Sequence, residues 1–111
     1  MHEYSIVSSM LDICEKYAKD REVDRVAVKI GKMSGIEPHF LKSSFDIFKE
    51  DTLCKDATLQ MDIIDITLKC IDCNKEAVVD SFNFFCPYCK EGNTEVLTGQ
   101  EMYIDYIELK E

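Results

Sequence analysis

Two cysteine pairs with the same internal spacing constrain this chain more than any other feature of its sequence. Cys70 and Cys73 form one C-x2-C pair, Cys86 and Cys89 form the other, and twelve residues separate the pairs. Each pair can present both sulfurs from one tight turn, and two facing turns supply four thiolates in a tetrahedron. A segment of about 24 residues buries too little apolar surface to fold without such a cross-link. The spacing therefore predicts a small zinc-binding domain over residues 70–93.

Three other interpretations of the four cysteines stay open at this point. Iron can occupy the same thiolates, as in rubredoxin-like sites. The second pair, Cys86-Pro87-Tyr88-Cys89, also resembles the redox pair of glutaredoxins, although that family has no second pair upstream. A nucleic-acid-binding zinc ribbon is the third interpretation. Acidic residues outnumber basic ones between Cys70 and Asn93, and four thiolates around zinc add negative charge, so this surface would repel phosphate.

The charge balance and the N-terminus narrow the partners and the compartment. The chain has 13 Lys and Arg against 22 Asp and Glu, a formal net charge of −9, so we expect no nucleic-acid ligand. No run approaches the roughly 20 apolar residues of a membrane span, and residues 1–4 lack the basic start of a secretory signal. We expect a cytoplasmic protein, in which the six cysteines are reduced unless they bind metal.

Outside the cysteine-rich segment, the apolar periodicity predicts an α/β fold of two helices packed on a small mixed or antiparallel sheet. Residues 1–69 form this body and residues 94–111 complete it, so the zinc-ribbon-like domain of residues 70–93 is an insertion. The predicted elements are a helix over 5–19, a strand over 23–30, a helix from 38 to about 50, and strands over 59–68, 94–97 and 102–109.

Several local patterns lead to finer expectations. Apolar residues change parity within Leu59–Leu68, which predicts a β-bulge or a strand covered on both faces. Apolar residues occupy both parities of Met102–Leu109, which places this strand inside a sheet. Cys14 lies on the apolar face of the first helix and is expected in the core, whereas Cys54 lies in a polar stretch where exposure is expected. Two glycines in Gly31–Gly35 predict a turn.

The first residues of the chain can form a metal chelate. An N-terminus without a defined role is the simpler interpretation of His2, one of only two histidines. Initiator methionine removal needs a small second residue, so Met1 should stay with its α-amine free. That amine, the His2 amide nitrogen and the His2 imidazole can then bind one ion in fused rings, with Glu3 as a further ligand or hydrogen-bonding partner. Ni(II) and Cu(II) suit such nitrogen ligands, and zinc and magnesium do not.

The order of these motifs resembles the HypA/HybF family across almost the whole chain. Met1-His2-Glu3 is followed by an amphipathic helix, Val28-Lys29-Ile30-Gly31, Ser34-Gly35-Ile36-Glu37-Pro38 and then the cysteine pairs. Members of this family are nickel metallochaperones for the maturation of [NiFe]-hydrogenases and, in some organisms, of urease. The resemblance implies a nickel-binding α/β domain of two helices on a small sheet, with a zinc domain inserted before the final strands.

The resemblance also implies ligands and partners. Met1 matches the amine ligand, His2 the amide and imidazole ligand, and Glu3 the acidic neighbour, while the four paired cysteines match the zinc ligands. His39 stands where relatives commonly carry an acidic residue, and we assign it no ligand role. The implied partners are the nickel-handling GTPase HypB and the precursor of the hydrogenase large subunit. Ni(II) is then the transported ion and Zn(II) the structural one.

The sequence favours a carrier rather than an enzyme. It shows no catalytic triad and no cleft of paired acids, and Gly31-x-x-x-Gly35 lacks the Gly-Lys-Ser/Thr ending of a nucleotide-binding loop. Two alternatives from other classes are a zinc-ribbon adaptor without a nickel role and a C-x2-C thiol redox protein.

Overall fold

The computed structural model describes residues 2–79 and 83–111, and it describes side chains from residue 4 onward. The described part contains two helices, α1 and α2, and six strands, β1 to β6 in chain order. The strands form two three-stranded sheets, with the orders β2-β1-β6 and β4-β3-β5. The predicted class of two helices with small sheets and a cysteine cluster is therefore confirmed. No described helix has the length and apolar character needed to cross a membrane. The elements are α1 His2–Ala18, β1 Val23–Gly31, α2 Pro38–Phe48, β2 Thr58–Ile64, β3 Ile66–Cys70, β4 Glu76–Val79, β5 Thr94–Thr98 and β6 Met102–Leu109.

The chain divides into two compact units. The helical unit comprises Met1–Lys29, Ile36–Asp62 and Tyr103–Glu111, and the cysteine unit comprises Ile30–Gly35 and Ile63–Met102. The cysteine unit is thus larger than the segment 70–93 that surrounds the paired cysteines, because it includes β3 and β5. The domain boundaries drawn from the sequence stay a prediction.

The two helices pack against each other and bury unequal faces. Five residues of α1 are buried at the three-and-four spacing of one helical face: Val7, Met10, Leu11, Cys14 and Ala18. The buried residues of α2 are Leu41 and Phe45. Phe40 is 64% exposed, so this aromatic side chain lies outside the buried face of α2.

The start of α2 is set by two adjacent residues. The Glu37 carboxylate accepts a hydrogen bond from the Phe40 amide at 2.9 Å, which satisfies one of the free amides of the first turn. Pro38 occupies the first helical position, where its fixed φ suits the helix and its missing N–H costs nothing. The pair explains why this helix begins where the sequence pattern places it.

The strand that lies inside the first sheet is β1, not β6. β1 is the central strand and has buried residues on both faces, whereas β6 is an edge strand with no fully buried residue. Partial burial in β6 alternates along the strand but changes phase between Asp105 and Tyr106. The apolar residues on both parities therefore reflect this phase change, and the prediction that this strand lies inside a sheet is wrong.

The parity change within residues 59–68 marks a change of sheet. Asp65 separates β2 from β3, and the two strands belong to different sheets. Because side chains alternate with a period of two, one extra residue turns the following strand over. The Asp65 carboxylate pairs with Lys32 at 2.6 Å, and its carbonyl accepts from the Thr98 hydroxyl at 2.8 Å. The single strand predicted here is wrong.

The predicted Gly31–Gly35 turn exists, and its two glycines serve different purposes. Gly35 has φ of +80°, a conformation that favours glycine. Gly31 is required for close approach, because a Cβ at this position would lie 2.1 Å from the carbonyl oxygen of Gly99. The Gly31 amide donates to the Glu101 carbonyl at 2.7 Å, which holds the two backbones together.

The two unpaired cysteines are both buried. Cys14 is 0% exposed, as its helical face predicts, but Cys54 is also 0% exposed. The prediction of an exposed Cys54 is wrong because residues 49–57 fold into successive turns that direct this side chain inward. The turns are held by amide-to-carbonyl bonds from Thr52 to Lys49, from Lys55 to Thr52 and from Ala57 to Cys54.

We expect Phe45→Ala to lower the free energy of unfolding of the helical unit by about 3–5 kcal/mol, because it removes a fully buried ring. Phe40→Ala is the matched control on the same helix and should change it by less than about 0.5 kcal/mol. Urea denaturation followed by far-UV circular dichroism measures both. Equal losses for the two variants would show that Phe45 is not the core residue of α2.

Candidate metal centre

The structure brings the four paired cysteines together in the cysteine unit. Their Sγ atoms all lie within 4.8 Å of one another. Two sulfur–sulfur contacts run between the pairs, at 3.5 Å from Cys70 to Cys89 and at 3.6 Å from Cys73 to Cys86. Cys70 and Cys86 are buried, and the second cysteine of each pair is partly exposed. The first cysteine of each turn therefore anchors it, and the second lies nearer to solvent.

The two cysteine turns share one backbone pattern. In each turn the amide of the first cysteine donates to the carbonyl five residues later, and its own carbonyl accepts from the amide four residues later. These bonds are Cys70 N to Lys75 O (2.9 Å), Asn74 N to Cys70 O (2.9 Å), Cys86 N to Glu91 O (2.8 Å) and Lys90 N to Cys86 O (2.9 Å). Asn74 and Lys90 occupy the same position in their turns and both have positive φ, 64° and 68°.

Asn74 and Lys90 are functional positions that the sequence analysis missed. Each residue directly follows the second cysteine of its pair and adopts the left-handed conformation that lets the chain turn back. Asn tolerates this conformation, but Lys adopts it only when its surroundings enforce it. The Lys90 ammonium donates to the Pro87 carbonyl at 2.9 Å within the same turn. Their position immediately after each C-x2-C pair is the sequence feature that could have predicted the positive φ.

A small sheet positions the first turn against the second. β3 ends at Cys70 and pairs antiparallel with β4 and β5, so the first cysteine turn is the connection of the β3–β4 hairpin. The Ile71 amide donates to the Asn93 carbonyl at 2.9 Å, which ties this turn to the segment after the second turn. The Lys75 ammonium lies 4.9 Å from the centre of the Tyr88 ring, a cation–π contact between the two turns.

The sulfur positions fit a tetrahedral metal ion. Zn–S bonds of about 2.3 Å place neighbouring sulfurs of a tetrahedron roughly 3.8 Å apart, close to the observed 3.5 and 3.6 Å. A disulfide needs about 2.05 Å, and all four cysteines are free. Four sulfur ligands leave no open coordination position, so the arrangement suits a structural ion rather than a catalytic one.

The thiols of this cluster have pKa values shifted in opposite directions. The backbone amide of Cys89, followed by that of Tyr88, lowers the pKa of Cys86 to about 6. For Cys89, the Glu91 amide acts in the lowering direction, but hydrogen bonding with the Cys70 thiol and burial outweigh it and raise the pKa to about 12. Four crowded thiols therefore resist losing all their protons, and a divalent cation removes that conflict.

The predicted nickel ligands are not among the described side chains. Met1 lies outside the described residues, as do the side chains of His2 and Glu3, while the backbone of α1 begins at His2. The assignment of these residues to nickel stays a prediction. His39 is exposed in the first turn of α2. Among the side chains that the structure describes, the four cysteines are the one cluster of three or more metal-ligating groups.

Comparisons with known proteins agree with the resemblance drawn from the motifs. The family described as "Hydrogenase/urease nickel incorporation, metallochaperone, hypA" matches residues 1–109. The hydrogenase maturation factor HypA of Shewanella oneidensis is 43% identical over 114 residues, covering 100% of this chain and 97% of the relative. That of Aquifex aeolicus is 42% identical over 113 residues, covering 99% and 98%.

Solved structures show the same relationship at the level of the fold. The solution structure of the Ni metallochaperone HypA from Helicobacter pylori has a TM-score of 0.67 and 33% identity, and the match covers 96% of each chain. A second HypA solution structure has a TM-score of 0.74 and 33% identity, covering 99% of this chain and 97% of the other. A four-cysteine cluster with zinc-like geometry and a family match over nearly every residue lead to one conclusion: the chain belongs to the HypA family of nickel metallochaperones for hydrogenase and urease maturation.

Proposed function

We propose that this chain carries Ni(II) on its N-terminal Met1-His2-Glu3 and delivers it during maturation of a [NiFe]-hydrogenase, with a structural zinc ion in the four-cysteine centre. The observation that carries the proposal is the family match, which starts at residue 1 and so includes the tripeptide. Urease is the second client that the family description names. The protein acts as a metal carrier and not as an enzyme.

The backbone of α1 supports a chelate at its start. The helix begins at His2, and the first amides of a helix have no intrahelical acceptor. The His2 amide nitrogen can therefore bind a metal ion and release its proton to solvent without breaking a helical hydrogen bond. Its nitrogen, the Met1 amine and the His2 imidazole provide the donors that Ni(II) prefers over Zn(II) in square-planar geometry. Glu3 adds a carboxylate next to this set.

A short distance from the proposed site, α1 is anchored to α2. The Tyr4 and Phe48 rings meet edge to face, with their centroids 4.6 Å apart. Chain termini open more easily than the interior of a helix. A chelate on this end combines strong donors with a segment that can detach. That combination suits a carrier that must both hold and release its ion.

Zinc is the metal that we assign to the four-cysteine centre. We propose that residues 70–93 form a zinc domain inserted into a body of residues 1–69 and 94–111. The closed set of four sulfurs fits zinc in size and geometry. Ni(II) with square-planar nitrogen donors and Zn(II) with tetrahedral sulfur donors then sort to different sites by ligand chemistry. The zinc ion stabilises the cysteine unit, and the nickel ion is cargo.

The proposed partners are those that the family resemblance implies. Nickel reaches or leaves the chain through the GTPase HypB and passes to the precursor of the hydrogenase large subunit, in the cytoplasm. The net charge of −9 favours association with basic surfaces over nucleic acids.

His2→Ala should abolish tight Ni(II) binding, because it removes the imidazole that closes the chelate. The chain offers a matched control in its only other histidine, His39, which is exposed on α2. Isothermal titration calorimetry of zinc-loaded protein should show unchanged nickel affinity for His39→Ala. A His2→Ala variant that binds Ni(II) as tightly as the parent would contradict the assignment.

An N-terminal Gly-Ser extension should weaken Ni(II) binding strongly, because it converts the Met1 amine into an amide and displaces the chelate. The same extension at the C-terminus is the control and should leave the affinity unchanged. Equilibrium dialysis against Ni(II) compares the two proteins. Equal nickel binding by both would show that the α-amine is not a ligand.

One equivalent of Co(II) should replace zinc and produce the intense visible absorption of a tetrahedral thiolate site, and Cys86→Ser should weaken or abolish it. Cys54→Ala is the control, since Cys54 lies outside the cluster. Absorption should also fall as the pH is lowered, because protons compete with the metal for the thiolates. Octahedral spectra, or a spectrum lost equally in Cys54→Ala, would exclude the assigned ligand set.

A further inference from the structure

The two cysteines that the metal centre does not use meet in the helical unit. Cys14 lies on α1 and Cys54 in the connection between α2 and β2, far apart in the sequence. Both are 0% exposed. The two thiols lie close enough to shift each other's pKa, and a hydrogen bond of 2.9 Å joins the residues next to them, from the Leu53 amide to the Glu15 carboxylate. The fold therefore holds a buried dithiol whose members come from two different elements.

Neighbouring residues hold the two thiols in this arrangement. The Glu15 carboxylate, next to Cys14, accepts a hydrogen bond from the Leu53 amide at 2.9 Å. The Thr52 hydroxyl accepts from the Cys54 amide at 3.0 Å. The first bond joins α1 to the α2–β2 connection beside the two cysteines, and the second fixes the turn that contains Cys54.

We propose that Cys14 and Cys54 form a redox-modification site, at which hydrogen peroxide converts the dithiol into a disulfide that links α1 to the α2–β2 connection. The proposal does not depend on nickel binding, since none of the residues that carry it belongs to Met1-His2-Glu3.

The reaction balances with peroxide as the oxidant. The Cys54 thiolate attacks one peroxide oxygen, the O–O bond breaks, and the departing hydroxide takes a proton to become water, leaving a sulfenic acid on Cys54. The Cys14 sulfur then attacks the Cys54 sulfur and displaces a second hydroxide, which leaves as water with the Cys14 proton. The two thiols lose two electrons and two protons, and peroxide is reduced to two water molecules.

The environment distinguishes the attacking sulfur from the resolving one. Hydrogen bonding with the Cys14 thiol lowers the pKa of Cys54, and the Thr52 hydroxyl and the Lys49 ammonium act in the same direction. Hydrogen bonding with Cys54, burial and the Glu15 carboxylate raise the pKa of Cys14. Because the thiolate is the nucleophile, Cys54 attacks first and Cys14 closes the disulfide.

Burial selects the oxidant, and metal binding protects the other thiols. Peroxide is close to water in size, and the connection that covers Cys54 is held mainly by local turn bonds, which open at lower cost than a helix or a sheet. A bulky disulfide reagent can reach Cys54 only through a larger opening of this connection. The four sulfurs of the metal centre are occupied by zinc in the loaded protein, so they react more slowly with peroxide than the free pair.

Peptide mapping of full-length, zinc-loaded protein tests the proposal directly. Trypsin cleavage after Lys places Cys14 in residues 1–16, Cys54 in residues 50–55, and the two metal-binding pairs in residues 70–75 and 76–90. After treatment with excess hydrogen peroxide, alkylation of the remaining thiols and digestion, we expect a disulfide-linked species of peptides 1–16 and 50–55. A reductant should release it, and peptides 70–75 and 76–90 should stay alkylated.

A second readout follows from the cross-link itself. A disulfide between distant residues restricts the unfolded chain, so oxidation should raise the Tm by roughly 5–10 °C. Cys54→Ala and Cys14→Ala are matched variants that should show neither the linked peptides nor the shift. The proposal is overturned if peptides 1–16 and 50–55 of the parent stay fully alkylated after peroxide treatment, if either links instead to a metal-centre peptide, or if the Tm shift persists in Cys54→Ala.

Discussion

Four thiol groups within 4.8 Å of one another are the constraint on which the cysteine unit depends. The backbone amides of Cys89 and Tyr88 lower the pKa of Cys86, whereas hydrogen bonding with the Cys70 thiol and burial raise the pKa of Cys89. Without a cation, this arrangement opposes its own ionisation. A divalent ion favours the ionised thiols, because each thiolate then coordinates the metal. The metal–sulfur bonds also link the two turns. The short strands β3, β4 and β5 need this link, since their sheet alone buries little apolar surface.

The four-cysteine centre and the proposed nickel chelate differ in ligand type and in their position along the chain. The four-cysteine centre is closed, symmetric in its backbone bonds and anchored to a sheet, which are properties of a site that keeps its ion. The proposed nickel chelate stands at the beginning of α1, where backbone amides are free and the nearest described anchor is the Tyr4–Phe48 contact. In the proposed function, ligand type determines which ion binds at each site, and the position in the chain determines which ion is released.

Sequence patterns were most informative where one physical requirement dominated. The C-x2-C spacing predicted the cluster, and the helical face containing Cys14 predicted its burial. They failed where tertiary context decided the outcome. Asp65 gives no local sign that β2 and β3 belong to different sheets, and the position of β6 at a sheet edge depends on which strand takes the centre. Cys54 is surrounded by polar residues, yet a series of turns directs it into the core beside Cys14.

X-ray absorption at the nickel edge tests the central claim most directly, on untagged, zinc-loaded protein with one equivalent of Ni(II). The account predicts a four-coordinate, planar site with nitrogen and oxygen neighbours, and no sulfur scattering from the metal. Nickel–sulfur distances would move the ion to the cysteines and contradict the proposed terminal chelate. A spectrum of hexaaqua nickel would contradict the carrier role of this site altogether.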